Sequence, residues 1–371
     1  MKKTLLWLGS LFFAFCLCGS VLAESDEPKH IAAGRVYSLF IDSTGQLWAW
    51  GRSRLSLDHD EKIPRPVAEK VRSVYVKADG GTSFFIREDG SLWGWGESDY
   101  GQLGIVQGLY SQKDGYVRQP RKVMDHVKTI SGSETIFAIK ENGSLWTWGG
   151  LGLDNANNPL KNRAYPRKVM DNVTQVSSAF AHTVVKKTDG TLWAWGDNQC
   201  GALGTGNTEE SEKPVRVNTQ PLGKRSVVQI ATRWGETYLL ADDGTVWYSG
   251  EYNIHQAECL DPPHLIPTKL DTIDNVKAIA LGQFHELFLK KDGSVWASGY
   301  GIAATAPLMT VPTEPGKVME DVVEMAGGQS HSIALKKDGT VWVWGENDVG
   351  QLGNGTTVGS ITPVQVHFPK P

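Results

Sequence analysis

Ala326-Gly-Gly-Gln-Ser-His331-Ser-Ile-Ala-Leu-Lys-Lys-Asp338-Gly339-Thr-Val-Trp342-Val-Trp344-Gly345-Glu-Asn-Asp-Val-Gly350-Gln-Leu-Gly353 is the stretch from which the rest of this chain can be read. Val322–Ala326 is a short apolar strand, and Gly327–Ser330 is a turn. His331–Lys336 reads as a second strand. Asp338-Gly339 is a hairpin signal, because both residues tolerate the left-handed backbone of tight β-turns. Thr340–Trp344 is a third strand. A loop holding Gly350-Gln-Leu-Gly353 leads to a fourth, Pro363–Val366. The unit is one four-stranded antiparallel sheet. Val341 and Val343 point one way and Trp342 and Trp344 the other, so both pleat faces are apolar and both must be covered.

Working outward, the same pattern recurs. Gly45–Gly51, Gly90–Gly96, Gly143–Gly149, Gly190–Gly196, Gly244–Gly250, Gly293–Gly299 and Gly339–Gly345 each run from a turn glycine through an apolar-x-Trp strand to a glycine. Their first tryptophans are 45, 53, 47, 54, 49 and 46 residues apart. Twelve of the 14 tryptophans belong to the pattern; only Trp7 and Trp234 do not. A fixed period of this length marks stacked supersecondary units. Sheets arranged about an axis cover each other's faces, so seven of them predict an all-β, seven-bladed propeller. A parallel β-helix fits less well, because its coils are shorter and need no hairpin in each unit. The repeat cores lie at about 30–51, 72–96, 128–149, 174–196, 227–250, 276–299 and 322–345, within one domain of residues 24–371. The 41 glycines suit so turn-rich a chain.

Strands starting at or near Pro66, Pro120, Pro166, Pro214, Pro267, Pro312 and Pro363 precede or end the repeats. Short links to the next repeat predict that each proline strand pairs forward. Thr362–Val366 would then close the ring beside Ile31–Gly34.

Residues 1–23 have the three parts of a secretory signal: two lysines, the apolar run Leu5–Leu17, and Val21-Leu-Ala23 before a cut at Glu24. The run is short for a membrane span, so an uncleaved anchor fits less well. Cys16 and Cys18 raise a lipoprotein as the alternative, against which stand the bulky Phe15 and Leu17. The expectation is a secreted or periplasmic protein with no stable membrane insertion after cleavage. Removing Lys2 and Lys3 takes the net charge from −4 to −6. A mildly acidic body without basic runs is a poor ligand for nucleic acid. Cys200 and Cys259 then remain, on loops leaving the same side of adjacent repeats. Export makes a disulfide between them chemically available, and no C-x-x-C zinc pattern is present.

These residues resemble the regulator of chromosome condensation repeat family, which combines G-x-x-H, D-G, W-x-W-G and G-Q-L-G in fixed order. The fourth unit, Ala181-His182 to Gly201-Ala-Leu-Gly204, and the seventh match best. The resemblance implies a seven-bladed propeller. The family's founding activity is nucleotide exchange on a nuclear small GTPase, which the export signal and acidic charge argue against here. A branch of secreted bacterial propellers that inhibit β-lactamases through aromatic residues on one face is similar in its signal peptide and Trp-rich units. Fold alone does not choose between these activities.

No phosphate loop, nucleophile elbow or H-E-x-x-H helix is present, so the sequence offers no catalytic, cofactor or metal residue. A channel-active lyase and a sugar binder stay as alternatives. His182, His285 and His331 occupy one repeat position, where the other units carry Tyr37, Thr82, Thr135 and Glu236. Metal ligands spread over separate blades would lie far apart, so these are read as strand-start residues bonding nearby backbone. Asp58-His59-Asp60-Glu61 reads as a solvated loop.

In each unit the turn before the second strand and the Trp-Gly end of the third lie together, opposite the hairpins. Arg35, Glu134, Phe180, Trp234 and Phe284 occupy such turns, and Tyr100, Tyr252 and Tyr300 follow Trp-Gly ends. Water-facing turns are usually polar or Gly, whereas aromatics and Arg dominate protein interfaces. The expectation is a protein-binding, non-enzymatic monomer whose partner meets this rim. The alternative for each ring is to pack inward over the blade tops.

Overall fold

The computed structural model describes residues 28–53, 55, 60–76, 81–98, 101–104, 116–132, 134–150, 165–179, 182–250, 252–253, 258–259, 264–299 and 314–369. The signal segment lies outside them. Seven four-stranded antiparallel sheets follow one another along the chain. Blade 1 runs Ile31–Ala33, Tyr37–Ile41, Leu47–Gly51 and Glu61–Ala68. Blade 2 has Val71–Val76, Thr82–Arg87, Leu92–Glu97 and Tyr116–Met124, and blade 3 has Val127–Gly132, Thr135–Lys140, Leu145–Gly149 and Arg167–Met170. Blade 4 has Val173–Ser178, His182–Lys187, Leu192–Gly196 and Ser211–Arg216. Blade 5 has Val227–Arg233, Glu236–Ala241, Val246–Ser249 and Thr268–Lys269. Blade 6 has Val276–Leu281, His285–Lys290, Val295–Gly299 and Gly316–Met319. Blade 7 has Val322–Gly327, His331–Lys336, Val341–Gly345 and Ser360–Gln365.

Alternation along each strand feeds two cores. Leu39 and Ala49 of blade 1 pack with Val71, Val74, Phe85 and Trp95 of blade 2. Their neighbours Phe40 and Trp50 pack with Ile333, Val341 and Val343 of blade 7. That is the double-faced burial expected of stacked sheets.

The two tryptophans of the repeat do different work. The second is buried in four of its five occurrences (Trp50, Trp95, Trp148 and Trp344 at most 1% exposed; Trp195 is half-buried), and in blades 1, 2 and 3 it reaches the blade before. Trp50 Nε1 donates to the Gln351 carbonyl at 2.9 Å, and Trp148 Nε1 donates to that of Gln102 at 2.7 Å. A Cβ on Gly353 would meet the Trp50 ring at 2.7 Å, which accounts for the last glycine of Gly-Gln-Leu-Gly. The first tryptophan is half-buried in every blade but the fifth, where Trp247 is buried. In blade 7, Trp342 Nε1 donates to Thr340 Oγ1 at 2.9 Å, whose hydroxyl donates to Asp338 Oδ1 at 2.6 Å. So Asp-Gly-Ser/Thr is more than a turn signal, because its hydroxyl links the hairpin to the indole.

The forward pairing of the proline strands is overturned. Trp342 faces Gln365 and Val343 faces Val364, and likewise Trp48 faces Pro66. Each proline strand therefore completes its own blade. In blades 4 and 7, where the whole connection is described, the chain after Trp-Gly folds back as a wide hairpin. The short links instead leave the sheet through a left-handed residue: Lys70, His126, Asn172, Asn275 and Asp321 all have φ between 55° and 62°. Such a residue turns the chain out of the ladder rather than continuing it. Prolines and the exposed Lys62, Arg65, Arg167 and Lys168 blunt these outer strands as edges.

The ring closes without a shared strand ladder, through side chains and a backbone bond from the Gln329 amide to the Gly34 carbonyl. Glu324 of blade 7 accepts from the His30 and Ile31 amides. Phe368 lies 5.0 Å from the Phe40 ring and 6.0 Å from that of Trp50, centroid to centroid.

Candidate functional site

The strand registers fix which loops share a face. His331 faces Gly345, His285 faces Gly299, Thr135 faces Gly149 and Tyr37 faces Gly51. The turns between first and second strands thus lie beside the Trp-Gly ends, and the Asp-Gly hairpins lie at the opposite end. Arg35, Glu134, Trp234 and Phe284 all stand on turns of this rim. Arg35 is exposed, and its Nε donates to Gln329 Oε1 of blade 7 at 3.4 Å. Glu134, Trp234 and Phe284 are half-buried. Tyr100, Phe180 and Tyr300 lie outside the described residues. Tyr252 is placed by its backbone alone, in a two-stranded ribbon where it faces Cys259.

Cys259 is joined to Cys200, with Cα atoms 5.2 Å apart. The bond ties the loop of blade 4 to that ribbon of blade 5. Of the acidic loop, Asp58 and His59 lie outside the described residues. Asp60 pairs with Arg52 at 2.8 Å and Glu61 with Arg65 at 2.5 Å.

The three histidines do not bond nearby backbone through Nε2, as expected of them, but reach a hydroxyl of the next blade. His182 Nε2 is 2.9 Å from Thr237 Oγ1, His285 Nε2 is 2.9 Å from Ser332 Oγ, and His331 Nε2 is 2.9 Å from Ser38 Oγ. Tyr37 does the same with Ser83 at 2.7 Å. The His285, His331 and Tyr37 rings each lie close against the glycine three positions before, so a Cβ on Gly328 would meet the His331 ring at 2.5 Å. Burial holds His331 at about 4, and burial with the nearby Arg233 charge holds His285 at about 3, so both are neutral near pH 7. No group of three potential metal ligands occurs among the described residues.

One junction departs from this scheme. Between blades 5 and 6 the glycine, histidine and hydroxyl positions are Arg233, Glu236 and Glu286. Arg233 Nη2 donates to Glu236 Oε2 at 2.7 Å and to Glu286 Oε1 at 2.5 Å. Glu286 Oε2 accepts from Ser298 Oγ at 2.6 Å. All three side chains are nearly buried, at 12–14% exposure. Burial opposes the Arg233 charge, but the two carboxylates outweigh it and raise its pKa well above the usual value. Trp234 sits between Arg233 and Glu236 with φ 41°. It is the one left-handed non-glycine among the described residues that is not at an interblade link. Sequence reading singled out Trp234 but missed the two residues that grip its turn. The signal was present, as a simultaneous departure from G-x-x-H and from the following blade's hydroxyl.

The repeats and the fold are similar to those of known proteins. Residues 89–136, 189–235 and 338–371 match the Regulator of chromosome condensation (RCC1) repeat, and residues 173–202 and 322–351 match a second model of it. The chain is 26% identical to the Ultraviolet-B receptor UVR8 of Arabidopsis thaliana, over 94% of this chain and 72% of that one. Among solved structures it is similar to human WBSCR16, with TM-score 0.72, 22% identity, and coverage of 84% of this chain and 86% of that. It is also similar to yeast RCC1 (Prp20) bound to Kap60, with TM-score 0.73, 19% identity, and coverage of 99% and 91%. Fold and repeats together define an RCC1-like seven-bladed propeller, and the matches support the RCC1 repeat family for this chain.

Proposed function

We propose that this chain is an exported bacterial propeller that binds a protein partner through the rim of turns and Trp-Gly ends, as an interaction module or an inhibitor of an enzyme in the same compartment. The observation that carries the reading is Trp234. A bulky residue with positive φ is costly, and here it stands at a turn tip, on the rim where Arg35, Glu134 and Phe284 also stand. Aromatics and Arg in that setting are the usual anchors of protein interfaces. Export rests on the three-part N-terminal signal, and a mature mass beginning at Glu24 is its check.

The test is a pull-down from the producer's own extracellular fraction. The intact protein is expected to retain a protein partner. Trp234→Ala should weaken that binding by about 2 kcal/mol, roughly thirtyfold, with folding kept. Asp243→Ala, at the hairpin end, should leave binding unchanged. Binding lost in the hairpin variant but kept in Trp234→Ala overturns the face assignment. Accelerated nucleotide release from a small GTPase would favour the exchange-factor reading instead.

A further inference from the structure

We propose that Arg233, Glu236 and Glu286 are positioning residues: a charged latch exchanged for the histidine–hydroxyl latch of neighbouring blades, which holds Trp234 at the rim in its left-handed turn. The inference rests on the rim being the binding face, and it explains how one blade came to present a tryptophan there.

The two latches use the same three positions. In blades 6 and 7 the imidazole occupies the space a Cβ would take: at Gly282 the added carbon would lie 2.2 Å from the His285 ring. Blade 4 keeps its His182–Thr237 bond beside the small Ala179, whereas blade 5 carries a long arginine at that position and no imidazole. With Glu236 in its place, the carboxylate turns to the guanidinium, whose Nε and Nη2 lie 3.1 and 2.7 Å from Glu236 Oε2. The same guanidinium then needs an acceptor on blade 6. A hydroxyl stands there at the other latches, and here it is Glu286. Glu286 is in turn fixed by the Ser298 hydroxyl. Three exchanges thus form one unit.

The unit also acts on the turn. Arg233 and Glu236 face each other across the two-residue turn Trp234-Gly235. The equivalent first–second strand turns of blades 1, 3, 6 and 7 have no left-handed non-glycine residue among their described positions. Strain of this kind persists only where surrounding bonds over-determine it. The fork of Arg233 grips Glu236 on its own blade and Glu286 on the next, so it ties both ends of the turn to a second sheet. A planar fork suits this task, and a lysine ammonium on a flexible stem does not.

The test uses the full chain labelled with 5-fluorotryptophan, and the Trp234 resonance is assigned by Trp234→Phe. The triple variant Arg233→Gly, Glu236→His, Glu286→Ser rebuilds the latch of the neighbouring blades. It is expected to fold, with the other 19F resonances in place, while the Trp234 resonance shifts by more than its linewidth. An unmoved Trp234 resonance in that folded variant overturns the proposal. Should the triple variant not fold, Arg233→Lys keeps the charge and removes the fork; a shifted or broadened Trp234 line supports the proposal, and an unchanged line overturns it. The measurement needs no partner. Its failure therefore removes the latch and leaves the rim reading standing, whereas Trp234→Ala with unaltered binding removes the rim reading alone.

Discussion

The junction between blades 7 and 1 and the junction between blades 5 and 6 solve one problem with opposite chemistry. At the first, a neutral His331 meets the Ser38 hydroxyl, and Gly328 leaves room for the ring. At the second, one guanidinium meets two carboxylates at 12–14% exposure, whereas His331 and Ser38 are fully buried. A neutral hydrogen bond contributes about 1 kcal/mol net, and removing one buried partner costs about 1–3 kcal/mol. A buried ion cluster contributes little over an apolar packing of the same volume, yet its loss strands a charge. The first junction is built to be quiet, and the second makes its turn depend on every member being present.

The sharpest way to break that contrast is Arg233→Ala. It leaves Glu236 and Glu286 facing each other in a buried site, and a loss of about 3–5 kcal/mol in a denaturant titration is expected. Ser38→Ala, at the quiet junction, leaves the His331 Nε2 buried without its hydroxyl and should cost less, about 1–3 kcal/mol. Equal losses at the two junctions would remove the distinction.

Acid separates the junctions next. His285 and His331 have folded-state pKa values of about 3 and about 4, below the ordinary value near 6.5. The unfolded chain takes up their protons first, so their contribution is whole above about pH 6.5 and is lost as pH falls towards the folded values. Between pH 7 and pH 5 each should withdraw about 2 kcal/mol. Thermal unfolding across that range should show the slope, and His285→Gln with His331→Gln should flatten it.

Smaller effects follow. Phe368→Ala should cost about 2 kcal/mol, since the half-buried ring covers Phe40 and Trp50 at the closing junction. Asp243→Ala should cost about 1 kcal/mol by melting midpoint. Its carboxylate accepts from the Thr245 amide and hydroxyl and from Arg225. Burial would raise its pKa, but those bonds prevail and hold it at about 2.

The blade count and both pleat faces were legible because Trp-x-Trp and Asp-Gly recur in register with the strands. The rim was legible too, since antiparallel pairing alone brings the turn and the Trp-Gly end together. The partner of the proline strands was not, because link length is silent about direction. What decides it is one left-handed residue, and Lys70 or His126 carries no mark of that in composition. Nor was the charged latch legible. Glu236 read as one more occupant of a variable position, and its meaning lay in Arg233 three residues before and Glu286 fifty residues after.

Closure without a shared strand has a consequence for how such a ring can be cut. Each blade is one unbroken stretch of chain, and His30 and Phe368 lie at the same junction, against Glu324 and Phe40. No strand is lent from one end to the other. Joining the ends and opening the chain at a different two-residue link leaves every ladder intact, so the ring is open to circular permutation. By the same logic, duplication of a single blade-length segment adds a whole wedge rather than a broken one, and a lineage can vary one junction while the other six keep their fit.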